Sequence, residues 1–378
     1  MILHMFLVDQ VDTLPTMQET RAVGSSQPES NPTITLRSLK KVSNPHSIHG
    51  IYPYRGKMSS LDAAHVISQL PHDAVLLDPF CGTGTVVYEA QVRGMRAIGV
   101  DNNPLACIIA RGKTEPLIVE ETLEHLEQAI AAAKNLQSPS FMPDAPAQYF
   151  HPTTAEQIMR MIAVSDDFSS YELSVLYGSM CVAARACNGW IWTSTSIGRL
   201  NRPLRAVDFY KTMMRKAKKH ISFVIGEPPA AIHQHDTRRI TEVVPKNSID
   251  VVYCSPPYFD ALDYTGYYSK LVLEITGADR ARIREGLIQR YSTYKQDVSM
   301  ALSAIDRVVK NDALIIFVVG DRMVRRRLVR GAEFFTEIAP WNDPYIVERS
   351  YACTPSRIWD KINRTQRREQ VIVWNLGA

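Results

Sequence analysis

The 378-residue chain has few cysteines, no long apolar run and no strong excess of charge of either sign. Its six cysteines include no Cys-x-x-Cys pair, which excludes a disulfide framework and a zinc ribbon and predicts reduced thiols in a cytoplasmic protein. No stretch approaches the roughly 18 uncharged apolar residues that span a bilayer, so we expect no membrane segment. The start of the chain lacks the basic flank and the small-residue cleavage site of a signal peptide.

The composition is that of a globular protein, with 45% apolar and 22% charged residues. A chain of this length can bury a large core, which excludes a disordered, collagen-like or coiled-coil body. Residues 10–35 are rich in Thr, Ser, Gln, Pro and Asn, and we therefore expect residues 1–35 to form a flexible arm. The net charge of +4 is too small to indicate a nucleic-acid-binding protein by itself.

Short apolar runs that are followed by helical patterns recur along the chain. The first two runs each end in an acidic residue, Asp78 and Asp101, at the start of a loop. This order predicts an α/β fold with a largely parallel sheet and helical crossovers. The predicted strands cover residues 74–78, 96–101, 248–254 and 313–319, and a closing antiparallel pair is predicted at about 345–351 and 369–374.

The chain between the second and third strands is too long for a simple crossover, which needs about a dozen residues. We therefore predict a helical subdomain or lid at residues 113–230, inserted into a sheet domain formed by residues 36–112 and 231–378. Helical periodicity predicts helices at 119–135, 154–187 and 204–223, with a loop rich in Trp, Ser, Thr and Arg at 188–203.

The turn after the first strand reads Asp78-Pro79-Phe80-Cys81-Gly82-Thr83-Gly84-Thr85. Glycines let the backbone approach a ligand closely, and ligands of open α/β sheets bind at this end of the strands. The third glycine of a dinucleotide fingerprint and the Lys-Ser/Thr pair of a P-loop are both absent. An acid at Asp101 can accept both hydroxyls of a ribose, although the same position also suits a helix N-cap.

A third motif, Ser255-Pro256-Pro257-Tyr258, directly follows the strand predicted at 248–254. The two prolines stiffen an extended turn, so the Ser255 hydroxyl and the Pro256 carbonyl can both accept hydrogen bonds from one exocyclic amine. Tyr258 can stack on a planar base. The same four residues also fit a rigid turn with a packed tyrosine.

These three motifs, in this order on strand ends, resemble those of the S-adenosylmethionine-dependent DNA amino-methyltransferases, which methylate cytosine N4 or adenine N6. The resemblance covers about residues 46–112 and 231–376. It implies a Rossmann-like class I methyltransferase fold, in which a mixed seven-stranded sheet has helices on both faces. It does not cover the helical subdomain that the length of the connection predicts at residues 113–230.

The resemblance also implies roles for single residues, with S-adenosylmethionine lying across the strand ends. Lys57 belongs to a segment that is similar to the family's amino-terminal motif, and Asp236 would meet the cofactor's adenine. The implied cofactor-binding residues are Lys57, Asp78, Phe80, Gly82, Gly84, Thr85, Asp101, Asn102, Asp236 and Ser255. The implied catalytic residues are Ser255, Pro256, Pro257 and Tyr258, acting on a base that has been flipped out of the duplex.

Serine at position 255, where relatives also carry Asp or Asn, favours cytosine N4, with adenine N6 as the alternative. A carbon-5 cytosine enzyme would need a nucleophilic cysteine that normally follows a proline, whereas Cys254 precedes the motif and is interpreted as a core thiol. An RNA base methyltransferase acting on guanine N2 or adenine N6, a protein-glutamine methyltransferase and an inactive binding module stay open as alternatives.

Basic residues are concentrated at 199–219, among aromatic side chains such as Trp190 and Tyr210. Such a strip is typical of phosphate contacts and base stacking, but also of a solvated helix face. An arginine cluster after Asp321 is predicted to open a helix. The predicted DNA-binding residues are Arg199, Arg202, Arg215, Lys216, Lys218, Lys219, Arg325 and Arg326.

The expected partner is double-stranded DNA, and a cognate restriction endonuclease is left open because nothing in the chain indicates one. We predict no metal site. The close histidine pairs are His46 with His49 and His233 with His235, and we expect no third ligand near either pair.

Overall fold

The structure is a computed structural model that describes residues 34, 46–54, 58–137, 139–190, 200, 202–257, 263–324, 327–352 and 366–378. Among these residues, no helix combines the length and the apolar character that a membrane span requires.

Nine strands lie in the described part of the chain. They are β1 (Val75–Asp78), β2 (Arg96–Asp101), β3 (Ala230–Gln234), β4 (Ile249–Cys254), β5 (Val309–Gly320), β6 (Arg322–Val324), β7 (Arg327–Val329), β8 (Tyr345–Ala352) and β9 (Gln366–Asn375). Seven of them form a mixed sheet in the order β3-β2-β1-β4-β5-β9-β8, and β6 pairs with β7 in a separate antiparallel hairpin.

Only β9 runs against its neighbours in the seven-stranded sheet, because it is antiparallel to both β5 and β8 while the other pairs are parallel. This arrangement confirms the predicted Rossmann-like class I fold and the predicted closing antiparallel pair. The strand order reverses between β1 and β4, and open α/β sheets bind ligands at such a switch point.

The helices cover both faces of the sheet and the long connection between β2 and β3. They are α1 (Ser60–Ile67), α2 (Thr85–Val92), α3 (Pro104–Thr114), α4 (Val119–Asn135), α5 (Asp144–Ala147), α6 (Pro152–Ile162), α7 (Ser170–Cys187), α8 (Phe209–His220), α9 (Tyr267–Ile275), α10 (Arg280–Gly286), α11 (Tyr294–Asp306) and α12 (Gly331–Ile338).

The central strands supply two cores, because successive side chains of a strand point to opposite faces. Leu77, Val252 and Phe317 pack on the face covered by α11 and α12. Leu76, Val251 and other alternate residues pack on the face covered by α1, α2 and α3. Burial on both faces explains why these strands are continuous apolar runs in the sequence.

Three helix predictions are corrected by local signals. The helix predicted at 154–187 is two helices, α6 and α7, because Ser169 and Glu172 form a capping box that starts α7. The helix predicted at 204–223 begins only at Phe209, where Asp208 is the N-cap, and ends in a 3-10 turn. The arginine-rich segment after Asp321 forms the β6–β7 hairpin, and helix α12 starts at Gly331.

Helices α4, α6, α7 and α8 share a core with parts of the sheet domain. Tyr88 of α2 and Ile109 of α3 belong to this core. A Cβ atom at Gly112 of α3 would lie 2.3 Å from the Ser174 Oγ atom, so α3 and α7 pack at very close range.

The division into an inserted subdomain at 113–230 stays a prediction. Most of the predicted arm lies outside the described residues, and Ile34 is buried in the core beneath α1.

Candidate active site at the switch point

A cleft lies at the carboxyl ends of β1 and β4, where the strand order reverses. Its walls come from the loop after β1, from Ser255 after β4 and from the segment that precedes α1. The structure therefore brings five predicted cofactor-binding residues together with two neighbours of Lys57. The lining residues that matter here are Asp78, Phe80, Gly82, Thr85, Ser255, Tyr54 and Met58.

The two glycines of the loop have different structural roles. Both have positive φ angles, +50° at Gly82 and +68° at Gly84, which favour glycine. The Gly82 amide donates a hydrogen bond to the Asp101 Oδ2 atom at 2.8 Å. A Cβ atom at Gly84 would approach the Ala110 Cβ atom to 2.9 Å, so Gly84 also allows α2 to pack against α3. The loop is thus shaped from the ligand side and from the core side.

Asp101 organises the end of β2. Its Oδ2 atom accepts the Gly82 amide and its Oδ1 atom accepts the Asn103 amide, each at 2.8 Å. Burial raises the pKa of Asp101, and the backbone hydrogen bonds oppose that shift. A carboxylate has about four acceptor positions, so each oxygen can still accept one ribose hydroxyl. The helix cap is Asn103, whose side chain accepts the Leu105 amide.

Asp78 is a buried acid in the wall of the same cleft, with 3% of its surface exposed. Burial raises its pKa to about 8, with the Phe80 hydrogen bond opposing this shift and the charge of Asp101 adding to it. At neutral pH the Asp78 carboxyl is therefore mainly protonated. Asp78 and Asp101 thus end two neighbouring strands, and burial raises the pKa of both carboxyl groups.

Lys113 supports the glycine loop from the protein interior, which the sequence analysis did not predict. Its side chain is fully buried, and its ammonium group donates a hydrogen bond to the Thr83 carbonyl. Thr83 lies between the two glycines, so this contact fixes the centre of the loop. A lysine in the last turn of a helix is ordinarily interpreted as a solvent-exposed residue, and no sequence pattern distinguishes Lys113 from such a lysine.

The turn after β4 is also held by a residue that the sequence did not indicate. The hydroxyl group of Tyr294, at the start of α11, donates a hydrogen bond to the Pro257 carbonyl. Ser255 is half-buried at the cleft. Cys254 is buried, as predicted, and burial raises the pKa of its thiol, which suits an inert core residue. Tyr258 lies outside the described residues.

The other predicted cofactor residues have protein partners. The Asn102 side chain donates to the Gly286 carbonyl at 2.9 Å. Asp236 follows β3 and pairs with Arg238, whose Nη2 atom is 2.6 Å from the Asp236 Oδ2 atom. Burial acts to raise the pKa of Asp236, but the hydrogen bonds from Arg238 outweigh it and lower the pKa. Lys57 lies outside the described residues.

The predicted DNA-binding residues of α8 point in different directions. Arg215, Lys218 and Lys219 are exposed, as is Arg202 before the helix. Lys216 instead donates to the Ile51 carbonyl at 2.9 Å, and burial lowers its pKa to about 8. The structure thus assigns Lys216 to contacts within the protein. Arg199, Arg325 and Arg326 lie outside the described residues.

The expectation that no third ligand lies near His46 and His49 is wrong. The Glu89 carboxylate of α2 is within hydrogen-bond distance of both imidazole rings. The sequence could not show this because Glu89 lies 40 residues after His49.

Comparison with known proteins places the chain in a family. Residues 62–318 match the profile of the D12 class N6 adenine-specific DNA methyltransferases. The type II methyltransferase M.MjaII of Methanocaldococcus jannaschii is 28% identical over 100 residues, which are 25% of this chain and 19% of that protein. M.BsoBI, a type II methyltransferase of Geobacillus stearothermophilus, is 24% identical over 282 residues, which are 63% of this chain and 54% of that protein. The match thus spans about half or less of each relative.

Solved structures with a detectable likeness include the rRNA methyltransferase aviRa of Streptomyces viridochromogenes. It has a TM-score of 0.33 and 12% identity, with 86% of this chain and 88% of that chain covered. A SAM-dependent methyltransferase of Agrobacterium tumefaciens has a TM-score of 0.35 and 9% identity, with coverages of 84% and 60%. Both TM-scores are low.

The residues of the cleft fit S-adenosylmethionine, because Gly82 exposes backbone at a positive φ angle and Asp101 keeps acceptor positions for a ribose. The family match includes the glycine loop, Asp101 and the motif that begins at Ser255, and it covers more than half of the 378 residues. The chain therefore belongs to the D12 class N6 adenine-specific DNA methyltransferase family, whose cofactor is S-adenosylmethionine.

Proposed function

We propose that this protein transfers a methyl group from S-adenosylmethionine to the N6 amine of adenine in double-stranded DNA. The observation that carries the proposal is the single cleft that joins the glycine loop after β1 to Ser255 after β4. Family membership supports adenine as the base and DNA as the substrate.

The cofactor half of the cleft binds and orients. When bound, S-adenosylmethionine supplies an electrophilic methyl group on a positively charged sulfur. Gly82 and Gly84 would lie against its methionine part, and the Asp101 carboxylate would accept hydrogen bonds from its ribose hydroxyls. Asp236 is proposed to meet its adenine, and this contact would have to coexist with the ion pair to Arg238.

The base half of the cleft positions the amine. The Ser255 hydroxyl and the Pro256 carbonyl would accept the two N–H bonds of an exocyclic amine, which directs its lone pair towards the methyl group. The amine nitrogen would gain the methyl group while the bond between the methyl carbon and the sulfur breaks and its electron pair stays on the sulfur. The methylated amine would then release a proton to water, so no strong base is needed. A base within a duplex cannot reach this cleft, so we propose that it is flipped out and stacked on Tyr258.

The expectation of cytosine N4, which rests on Ser255, is not supported by the family match, and the alternative adenine N6 agrees with it. The decisive experiment is incubation with isotope-labelled S-adenosylmethionine and duplex DNA, followed by nucleoside digestion and mass spectrometry. N6-methyladenine is the expected product. N4-methylcytosine would keep the mechanism and overturn the choice of base, and label found in RNA or protein alone would overturn the DNA substrate.

A matched variant tests whether residue 255 influences the base. Ser255→Asp should leave the cofactor affinity within a few-fold of wild type and should still give N6-methyladenine if adenine is the natural base. A Ser255→Asp variant that gained adenine methylation while the wild-type protein methylated cytosine would show that Ser255 sets the choice.

We propose that DNA phosphates contact the exposed face of α8. Arg215, Lys218 and Lys219 are exposed there, and Lys216 connects the helix to the Ile51 carbonyl, a few residues before Tyr54 of the cleft. Reversing the three exposed charges to Glu should weaken DNA binding and reduce the salt dependence by up to about three phosphate contacts, measured by titration at several salt concentrations. The control is Lys295→Glu, and an unchanged salt slope in the triple variant would place the DNA site elsewhere.

We propose no restriction endonuclease as a partner, because no motif of the sequence indicates one.

A further inference from the structure

Two histidines and a glutamate converge behind the cleft, outside the residues used above. His46 is the N-cap of a short 3-10 turn, Ser47–Gly50, and His49 lies within that turn. Side chains three residues apart lie nearly one above the other in such a turn, so both imidazoles face the same neighbour. That neighbour is Glu89 of α2. Its Oε1 atom is 3.1 Å from the His46 Nδ1 atom and 2.7 Å from the His49 Nε2 atom.

The spacing of the three groups fits a small metal ion. The ligand atoms of His46, His49 and Glu89 all lie within 4.8 Å of one another. Zinc is bound by imidazole nitrogen and carboxylate oxygen at about 2.0–2.2 Å, which places tetrahedral ligand atoms roughly 3.3 Å apart. Both distances to Glu89 are shorter than this, so the ligand atom of His46 would have to move away from Glu89 by about 0.2 Å and that of His49 by about 0.6 Å.

The surroundings hold the ligands in position and leave one side open. His49 and Glu89 are each about 1% exposed, whereas the His46 side chain is 28% exposed. The Tyr88 ring packs edge-on against both imidazoles, with centroid distances of 5.6 Å to His46 and 5.0 Å to His49. A ligand set with restrained rings and one solvent-facing member has both the rigidity and the entry path of a metal site.

We propose that His46, His49 and Glu89 bind one divalent transition-metal ion of the zinc class, with a fourth position open to solvent beside His46. Two imidazoles and a carboxylate are a donor set that suits zinc and neighbouring first-row metals, and not calcium or magnesium. The charge of Lys113, which acts on Glu89, repels a cation and should lower the affinity of the site.

The ion would have a structural role. It would join the segment that leads to Tyr54 to helix α2, which begins at Thr85, and both of these residues line the cleft. It would not contact the reacting groups. Its binding therefore does not depend on the proposed methyl transfer and can be measured without cofactor or DNA.

The test is zinc binding to the full chain after treatment with a chelator. Titration against a chromophoric zinc indicator should give one site per chain, and His46→Gln should weaken it by at least about tenfold. The matched control is His125→Gln, because His125 also contacts carboxylates, those of Glu172 and Asp167, but lies outside the cluster. The control should bind zinc as the wild-type protein does.

A second measurement uses the wild-type protein and therefore does not depend on how a variant folds. Cobalt(II) added to the metal-free wild-type protein should give the visible absorption bands of a four-coordinate site, and one equivalent of zinc should remove them. Absent cobalt bands, or zinc binding that is equal in the wild type and in His46→Gln, would overturn the proposal. The three side chains would then be a hydrogen-bonded cluster that holds the turn to α2.

Discussion

The two loops that form the cleft are held in different ways. The loop after β1 is connected to the rest of the protein at three positions. The Pro79 carbonyl accepts the Thr237 hydroxyl, the Gly82 amide donates to Asp101 and the Thr83 carbonyl accepts Lys113. Two of these partners are ionisable side chains. The turn after β4 is held at Pro257 by the neutral hydroxyl group of Tyr294.

This difference separates two kinds of function. Hydrogen bonds to charged groups in a low-dielectric site are strong. The loop after β1 would therefore be held in one conformation that suits the cofactor, which is the same molecule in every turnover. The turn after β4 is stiffened by its prolines and would meet a base that arrives with each substrate. We therefore expect changes around the first loop to alter cofactor affinity, and changes around the second to alter turnover on DNA. For each loop, we test one residue that is proposed to contact a ligand and one anchor, which is a residue outside the loop that holds it in place. These are Asp101 and Lys113 for the loop after β1, and Tyr258 and Tyr294 for the turn after β4.

The largest effect should come from Asp101, the residue beside the loop after β1 that is proposed to contact the cofactor. Asp101→Ala removes the acceptor of the Gly82 amide and of the proposed ribose hydroxyls. Hydrogen bonds to a charged group are each worth about 1.5–3 kcal/mol, so the dissociation constant of S-adenosylmethionine should rise by about 100-fold, measured by calorimetry. Asp101→Asn, which keeps one acceptor oxygen, should give an intermediate value. Unchanged affinity in the alanine variant would exclude Asp101 from the cofactor site.

The contact residue of the second loop should have the opposite signature. Tyr258→Ala removes the proposed stacking surface, which is worth about 1–3 kcal/mol per base, so kcat/KM for DNA should fall by about 10- to 100-fold. Cofactor affinity should stay at the wild-type value, and Tyr258→Phe should retain most of the activity. A fully active alanine variant would show that the target base binds elsewhere.

The anchor of the first loop should have a smaller effect on the same quantity as Asp101. Lys113→Met leaves the Thr83 carbonyl without this donor, and an unsatisfied buried acceptor costs about 1–3 kcal/mol. We expect about a tenfold rise in the cofactor dissociation constant and a lower melting temperature, with kcat unchanged at saturating cofactor. Lys246→Met, which removes an exposed lysine that has no proposed role in binding, is the control for loss of charge. A lower melting temperature with unchanged affinity would mean that Lys113 stabilises the fold but does not position the loop.

The smallest effect should come from the anchor of the second loop. Tyr294→Phe removes one hydroxyl group and one neutral hydrogen bond, worth about 1 kcal/mol. We expect kcat on DNA to fall by about fivefold while the cofactor dissociation constant stays constant. Tyr291→Phe, on a tyrosine that is 47% exposed, should change neither quantity. A change in cofactor affinity for Tyr294→Phe would mean that the two loops are coupled.

The sequence predicted the cleft because its marker residues lie at strand ends. Gly82, Asp101 and Ser255 each follow or end a strand, and parallel strands bring their carboxyl ends to one edge of the sheet. Apolar periodicity predicted α4 over 119–135 but joined α6 and α7 into one helix. Apolar spacing alone does not show where a helix starts, and the start of α7 is marked instead by the capping box of Ser169 and Glu172.

The anchors could not be predicted, because they depend on which elements pack together. Lys113 lies 30 residues after Thr83, and Tyr294 lies 37 residues after Pro257. Neither pair has a sequence signature. Lys216 shows the same limit in a basic run. Its charge alone predicted a contact with DNA. Its side chain instead donates a hydrogen bond to the carbonyl of Ile51, which is distant in sequence.

The pairing of β1 with β4 also has a consequence for how the protein is made. Leu76 pairs with Val251, and the Val75 amide donates to the Asp250 side chain across 175 residues of sequence. At synthesis rates of about 5–20 residues per second, β1 waits roughly 9 to 35 s for this partner. During that interval a growing chain carries a hydrophobic strand with an open edge, and such edges invite mispairing. The helices of the long connection are synthesised before β4, so they can begin to form before the centre of the sheet can close, although their core is completed only when α9 follows β4.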